Sequence, residues 1–375
     1  MFLALKEIKK EKSRFLLIIS IFVLISYLVY FLLGLAYGLA VDNRTAVDAW
    51  DGQQIVLSAG SNKNIQSSMI DQDVIEKDLE GKNYSLVNLG RSSAYVNGKE
   101  DEDNIIDIAI IGSNKDSKIF PKILEGNNIE NDDEVIASLA IKDEKGLKLG
   151  DELKLTMNDK VLKIVGFTDD YKFNTSPVIY STLETANPSA MLYRPVEDNN
   201  QENINATAQP TKKIPNRVAG AVIHNDDNLN LSDEYDIVPI DEFINKIPGY
   251  YAQLLTFGLM IGFLIIIASI VLGVFLYIIT IQKKETFGIM KIQGISNSYI
   301  SRSVIIQTII VSVIGLAIGM GLTYLTETFL PVTVPFNSNE VFYAVITVTM
   351  IITSLIGAIF SIRSVAKVDP LEVLG

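Results

Sequence analysis

Four stretches of the chain carry no charged side chain and are long enough to cross a bilayer: Phe15–Val41, Ile247–Gln282, Ser303–Thr326 and Val341–Ile362. Each exceeds the roughly 18 apolar residues at which a spanning helix is a better reading than a buried core helix. The apolar core of the first is too long for a cleaved signal peptide, and no small-residue cleavage site follows it. The second stands apart, with 36 uncharged residues. As one helix it would be about 54 Å long, whereas a bilayer core needs only about 20 residues. It is expected to cross the membrane and protrude, with Pro248 in its first turn, where a missing N–H costs nothing. Lys283, Lys284 and Glu285 mark its exit from lipid.

Between the first two spans the pattern changes to alternating strands and short amphipathic helices. GQQIVLSAG, YSLVNLGRSSAYV and NIIDIAIIG read as strands, and SMIDQDVIEKDLEG as a helix. Residues 132–170 read as a strand, a short helix, a glycine-containing turn and a hairpin with NDK at its tip. TSPVIYSTLETA reads as a strand leading into a helix, and RVAGAVIH and YDIVPI as closing strands. The run 197–216 has almost no large apolar residues to offset its ordering entropy and reads as a mobile loop. The fold class expected is an α-helical membrane protein with four transmembrane helices and a large inserted extracellular α+β domain at 42–246.

Charge gives the orientation. The net charge of −12 averages unlike pieces. Residues 1–14, 283–302 and 363–375 together hold 11 basic and 5 acidic residues; 42–246 holds 21 basic and 37 acidic. Short basic loops stay inside, so both termini and the loop at 283–302 are expected in the cytoplasm of a cell-membrane protein, with the acidic segment outside. Residues 1–14 place Leu3, Leu5 and Ile8 among lysines, which suits an amphipathic helix lying on anionic membrane lipid; a plain basic flank that only sets topology is the alternative. The chain has no cysteine, so no disulfide staples the outer domain, and its acidity argues against nucleic acid.

Catalytic chemistry is scarce. There is no phosphate-cradling G-x-x-x-x-G-K-[ST] loop and no Cys/His cluster, and His224 is the single histidine, better read as structural than as a ligand. Asp132–Asp133 and Asp226–Asp227 sit in turn-like contexts and read as solvated pairs. A non-catalytic membrane device driven from elsewhere remains. In KKETFGIMKIQGISNSYISRS, Gly288 and Gly294 bracket a short piece whose Phe287, Ile289, Met290 and Ile292 are apolar, which suggests docking onto a partner protein. In the tail RSVAKVDPLEVLG, Pro370 stops the fourth helix and leaves Leu371, Val373 and Leu374 apolar.

One span, a large outer domain, three more spans, the E-x-F-G-I-M-K-I-x-G-I-S loop and the closing V-D-P-L-E-V-L together resemble the FtsX/MacB-type permeases, membrane subunits of ABC transporters. EVIASLA, GLKLGDELKL and KIVGF resemble that family's periplasmic core domain. The resemblance implies a homodimer with two copies of a separate ATPase, which carries the ATP and Mg, and no cofactor of the permease's own. It makes the 283–302 loop the coupling helix, with Phe287, Gly288, Ile289, Lys291, Ile292 and Gly294, and Pro370 and Leu371 in the tail, as ATPase-coupling residues. The ATPase's nucleotide-driven closure is then sent up the long second helix (mechanotransmission).

MFLALKEI, LAYGLAVDNRTAVDAW and FINKIPGYYAQ further resemble the haem-efflux permeases of Gram-positive bacteria, the HrtB type. That implies haem collected from the outer leaflet, with Tyr37, Glu242, Tyr250, Tyr251 and Met260 as candidate contacts and Phe257 and Phe263 as apolar walls. A carboxylate or phenolate can ligate ferric haem, but tyrosine at an interface is also ordinary belt chemistry. Export of a peptide, lipid or drug, force transmission to a cell-wall hydrolase, and peptide sensing with a histidine kinase are the other readings; sensors usually have more spans. Gly315, Gly319 and Gly321 form a small-residue face for close helix approach.

Overall fold

The structure, a computed structural model, describes residues 2–187, 216–225, 229–331 and 333–366. Pro370, Leu371, Asp226–Asp227 and nearly all of the run 197–216 lie outside the described residues. The chain divides into two compact units, a sheet domain of residues 39–252 and a membrane unit of residues 1–38 and 253–375.

Four helices are long and apolar enough to span a bilayer. They are the first span Lys12–Asp42, the second Tyr250–Gln282, the third Asn297–Glu327 and the fourth Glu340–Ala366. The four spans and the inserted sheet-rich domain are those expected from the sequence. The second span starts later than its uncharged run. Gly249 has φ +84°, a left-handed conformation that only glycine adopts cheaply, and it breaks the chain between the helix Ile240–Asn245 and the span. Pro248 therefore precedes the span instead of sitting in its first turn, and the 33-residue helix is about 50 Å long.

Glycines decide how the spans meet. A Cβ on Gly315 would stand 2.6 Å from the Phe22 ring, and one on Gly319 would collide with Ser26 Oγ, so these two glycines seat the first span against the third. Ser26 Oγ donates to the Gly315 carbonyl at 3.0 Å. Gly321 has nothing within 4 Å and is not part of that face. A Cβ on Gly273 would lie 2.7 Å from the Gly357 carbonyl, and Ser269 Oγ donates to the Thr353 carbonyl at 2.5 Å, so the second and fourth spans cross backbone to backbone. The N-terminal helix Phe2–Lys10 turns Ala4 and Ile8 towards the bundle and leaves Lys9 and Lys10 exposed.

The strands of the sheet domain are β1 (Gln54–Ser58), β2 (Ile70–Asp71), β3 (Tyr84–Val96), β4 (Ile105–Ser113), β5 (Ile123–Gly126), β6 (Glu134–Ser138), β7 (Glu152–Leu155), β8 (Val161–Thr168), β9 (Lys172–Phe173), β10 (Ser176–Thr182), β11 (Arg217–Val218), β12 (Gly220–Ile223) and β13 (Tyr235–Pro239). One mixed sheet runs β13-β1-β12-β3-β4-β10-β6-β8-β5, with β4–β10 and β6–β8 parallel and the other neighbours antiparallel. Alternation sends successive side chains to opposite faces: Ile55 and Leu57 enter one core with Trp50, Val87 and Tyr180, while Val56 enters another with Ile75 and Leu86. The hairpin read around NDK is β7–β8, paired Lys154 to Val161 and Glu152 to Lys163. The helix expected after β10 is absent over Leu183–Ala186, which form a turn closed by the Ala186 amide on the Thr182 carbonyl. The Leu183 carbonyl accepts from Asn88 Nδ2 at 2.9 Å and Thr185 Oγ1 accepts from Lys160 Nζ at 2.9 Å, so distant partners outweigh the helix-favouring composition of LETA.

Candidate functional site

The loop between the second and third spans is a built surface. Its helix, Lys284–Ile292, ends in a Schellman motif: the Gly294 amide donates to the Lys291 carbonyl and the Ile295 amide to the Met290 carbonyl, each at 3.0 Å. Gly294 carries the left-handed turn at φ +83° with open space around it. Met290 and Ile295 make the apolar contact that accompanies such a cap, beside Phe287, Ile300 and Val304. Ser296 then caps the third span, its hydroxyl accepting from the Tyr299 amide at 3.3 Å. Phe287 is 3% exposed and Gly288 is buried, whereas Ile289 and Ile292, one turn apart, are 50% and 48% exposed. The residues expected to dock a partner therefore divide into an anchor, Phe287, and a presented apolar pair. Lys291 sits half-buried between them.

The residues proposed for haem divide between the two units. In the membrane unit Tyr37 stacks edge-on against Phe342, ring centroids 5.4 Å apart. It adjoins an aromatic group in which Tyr30 meets Tyr343 and Phe31 meets Phe336. Met260 and Phe263 are exposed and Phe257 is half-buried. In the sheet domain Tyr251 is exposed. Tyr250 belongs instead to the core with Trp50 and Phe243, and its phenol bonds Arg44, so the belt reading of this tyrosine is replaced by a packing role. Arg44 also grips Asp48 through both carboxylate oxygens at 2.7–3.0 Å, and that bond, first of all, raises its pKa. Glu242 is taken by Lys63 at 2.6 Å, and this hydrogen-bonded ammonium holds its carboxyl below the usual range. Tyr251 and Met260 are nine residues apart on one helix and so point to opposite sides of it.

His224 is buried between Ser85 Oγ (2.7 Å) and the Asp51 carbonyl (3.1 Å), a structural role. Asp132 accepts from Thr182 Oγ1 at 2.6 Å, so it braces β10 and is not simply solvated. Among the described residues no group of three His, Cys, Asp or Glu is placed to hold a metal.

Residues 258–370, which hold the loop 283–302 and most of the last three spans, match the FtsX-like permease C-terminal family. This stretch is an FtsX-like permease C-terminal domain. The whole chain is 29% identical over 382 residues to a protein of Staphylococcus epidermidis provisionally named hemin transport system permease protein HrtB, covering 100% of this chain and 99% of the relative. It is 27% identical, with the same coverage, to the protein of that name from Staphylococcus haemolyticus. An uncharacterized ABC transporter permease of Mycobacterium tuberculosis is 22% identical, again end to end. The periplasmic region of MacB from Actinobacillus actinomycetemcomitans aligns with 54% of this chain and 96% of that one at 12% identity, with a TM-score of 0.33. The extracellular domain of the transporter YknZ aligns with 49% and 99% at 12% identity and 0.31.

The membrane unit carries one feature that the sequence reading passed over. In GLMIG, Gly258 and Gly262 form a G-x-x-x-G pair on the second span, and a Cβ on either would meet nothing within 4 Å. They lie on the same helix face as Ser269 and Gly273, which the fourth span fills. The motif was legible; which glycines are filled within one chain was not.

Proposed function

We propose that this permease is the membrane subunit of an ATP-driven ABC exporter that moves haem out of the outer leaflet by mechanotransmission. ABC permeases work with an ATPase subunit, and the docking surface for it is the Ile289–Ile292 pair. That pair carries the reading: two exposed isoleucines on a helix pinned from behind by Phe287 and closed by Gly294 suit a rigid apolar lip for a partner. The basic short loops put this lip in the cytoplasm and the sheet domain outside. In this reading ATP hydrolysis belongs to the partner.

Two copies pair through the unfilled Gly258/Gly262 face, since glycines on a span permit close approach only where another helix arrives. Haem as the cargo is supported by the end-to-end likeness to relatives named for hemin transport. Within the membrane unit, Tyr37 and Met260 supply a phenol and a thioether of the kind such a cargo takes; in the sheet domain, Glu242 would first have to release Lys63. The test is co-purification with the ATPase in lipid nanodiscs, a Soret titration with haem, and haem-stimulated ATP hydrolysis. Ile289→Asp with Ile292→Asp should abolish the stimulation and leave the Soret shift. Full stimulation in that variant would sink the docking assignment, and no Soret shift in the wild type would sink haem.

A further inference from the structure

The N-terminal helix does more than lie on the membrane. Its basic residues Lys9 and Lys10 face out, while Glu7 and Glu11 face in. These two carboxylates stand one turn apart on the same helix face, where like charges repel and weaken a helix by a few tenths of a kcal/mol. The structure supplies two cations that offset this: exposed Arg14 donates to Glu11 Oε2 at 2.8 Å, and Lys283 reaches both carboxylates. Lys283 Nζ lies 3.6 Å from Glu7 Oε1 and 3.6 Å from Glu11 Oε1, and the three side chains are only 11%, 13% and 20% exposed in the order Lys283, Glu7, Glu11. Glu7 Oε2 accepts from Gln307 Nε2, a buried amide of the third span that also donates to Ser303 Oγ at 3.3 Å.

Lys283 is the residue at the elbow. It follows the last residue of the second span and precedes the first of the coupling helix; its amide donates to the Thr280 carbonyl and its carbonyl accepts from the Phe287 amide at 2.9 Å. A lysine that merely marked the lipid boundary would extend its ammonium to water. This one turns it between two carboxylates.

We propose that the N-terminal helix is an ionic strap across the elbow, with Glu7 and Glu11 as positioning residues that hold Lys283, and through it the start of the coupling helix, against the third span. One face of the strap thus ties together three elements: the end of the second span through Lys283, the third span through Gln307, and the bundle interior through Ala4 and Ile8. Because Lys283 and Glu7 are largely withdrawn from water and Arg14 pairs with Glu11, removing Lys283 leaves the Glu7 charge uncompensated, which costs far more than losing an exposed ion pair.

Any effect on transport rests on the coupling assignment above, so the test has a readout independent of it. In full-length permease with its ATPase in nanodiscs, Lys283→Glu should speed amide hydrogen exchange over residues 4–11 by about tenfold or more and lower the coupled ATPase several-fold. Glu7→Lys combined with Lys283→Glu keeps two carboxylates around one ammonium and should restore both. If Lys283→Glu does not fold, Glu7→Gln with Glu11→Gln, which keeps the side-chain sizes, decides by the same exchange measurement. Unchanged protection in the single-charge variants, or a swap that restores neither readout, overturns the strap. Loss of protection with unaltered coupling overturns the positioning role. The Ile289→Asp control separates the two ideas: if it alone leaves coupling intact, the docking surface is wrong while the exchange data still judge the strap.

Discussion

In the sheet domain β10 is buried along its whole length between β4 and β6, whereas the second and fourth spans meet where Gly273 and Ser269 cross Gly357. A ladder of paired strands buried on both faces resists bending, because tilting one strand breaks many hydrogen bonds and opens two cores. A crossing built on a few small residues resists only separation at that point. One helix can pivot there while its backbone hydrogen bonds remain internal. The sheet domain is thus the stiffer region and the span crossing the one that pivots, a division that the proposed transmission of work from a docked motor would use.

The largest effect is expected where stiffness is attacked directly. Trp50 is fully buried and stacks on Phe243 with ring centroids 6.1 Å apart, in the core that also holds Tyr250 at the start of the second span. Trp50→Ala should cost about 3–5 kcal/mol and lower the domain's calorimetric midpoint by roughly 10 °C. A change of only a degree or two would mean that this core is not the rigid body the comparison makes it.

Next come the glycines, which separate filled from unfilled faces. Gly357→Leu drives a side chain into the Ser269 backbone and should cost about 1–3 kcal/mol within a single chain. Gly262→Leu meets open space in the chain, so its folding stability should hold while pairing of copies is lost. Sedimentation in detergent together with thermal unfolding distinguishes them. Equal destabilisation by both changes would erase the distinction on which the pairing face depends.

Gly294→Ala should be milder. An alanine in the left-handed position costs roughly 1–2 kcal/mol, so the turn frays without unfolding the loop and coupled ATP hydrolysis falls several-fold. Wild-type coupling in Gly294→Ala would show that the Schellman turn at 294 does not set the angle of the docking lip.

Much of this architecture could be read from residue patterns, because lipid and strand pairing both impose strict periodicities. Uncharged runs such as Ser303–Thr326 have no competing soluble reading, and the alternation in VLKIVGF is that of β8 itself. What could not be read depends on contacts distant in sequence. Tyr250 and Tyr251 are the same residue type side by side, yet one is a core residue and the other exposed. Glu7 and Glu11 look like solvated charges on a short basic helix until Lys283, more than 270 residues on, is placed between them. The turn at Leu183–Ala186 is not helical for the same reason: Asn88 and Lys160, distant in sequence, bond its polar groups and override a weak local preference.

The smallest effect tests whether the sheet domain's edge shares its interior's stiffness. Tyr235, on the outermost strand β13, donates its hydroxyl to Asp78 at 3.0 Å. Burial, with help from that carboxylate, pushes the Tyr235 phenol up to about 12. The folded state thus holds the proton more tightly than the unfolded chain, whose tyrosine titrates near 10. Below about pH 10 both states are protonated and the contribution is fully present; as pH rises from about 10 to 12 the unfolded state loses its proton first and stability falls. Tyr235→Phe should flatten that part of the stability–pH curve and cost about 0.5–1.5 kcal/mol at neutral pH. If β13 frays independently of β1, the alkaline loss will appear as faster exchange of β13 amides alone. If the edge is as stiff as the centre, β1 and β13 will lose protection together, since their ladder from Gln54–Pro239 to Ser58–Tyr235 opens as a unit.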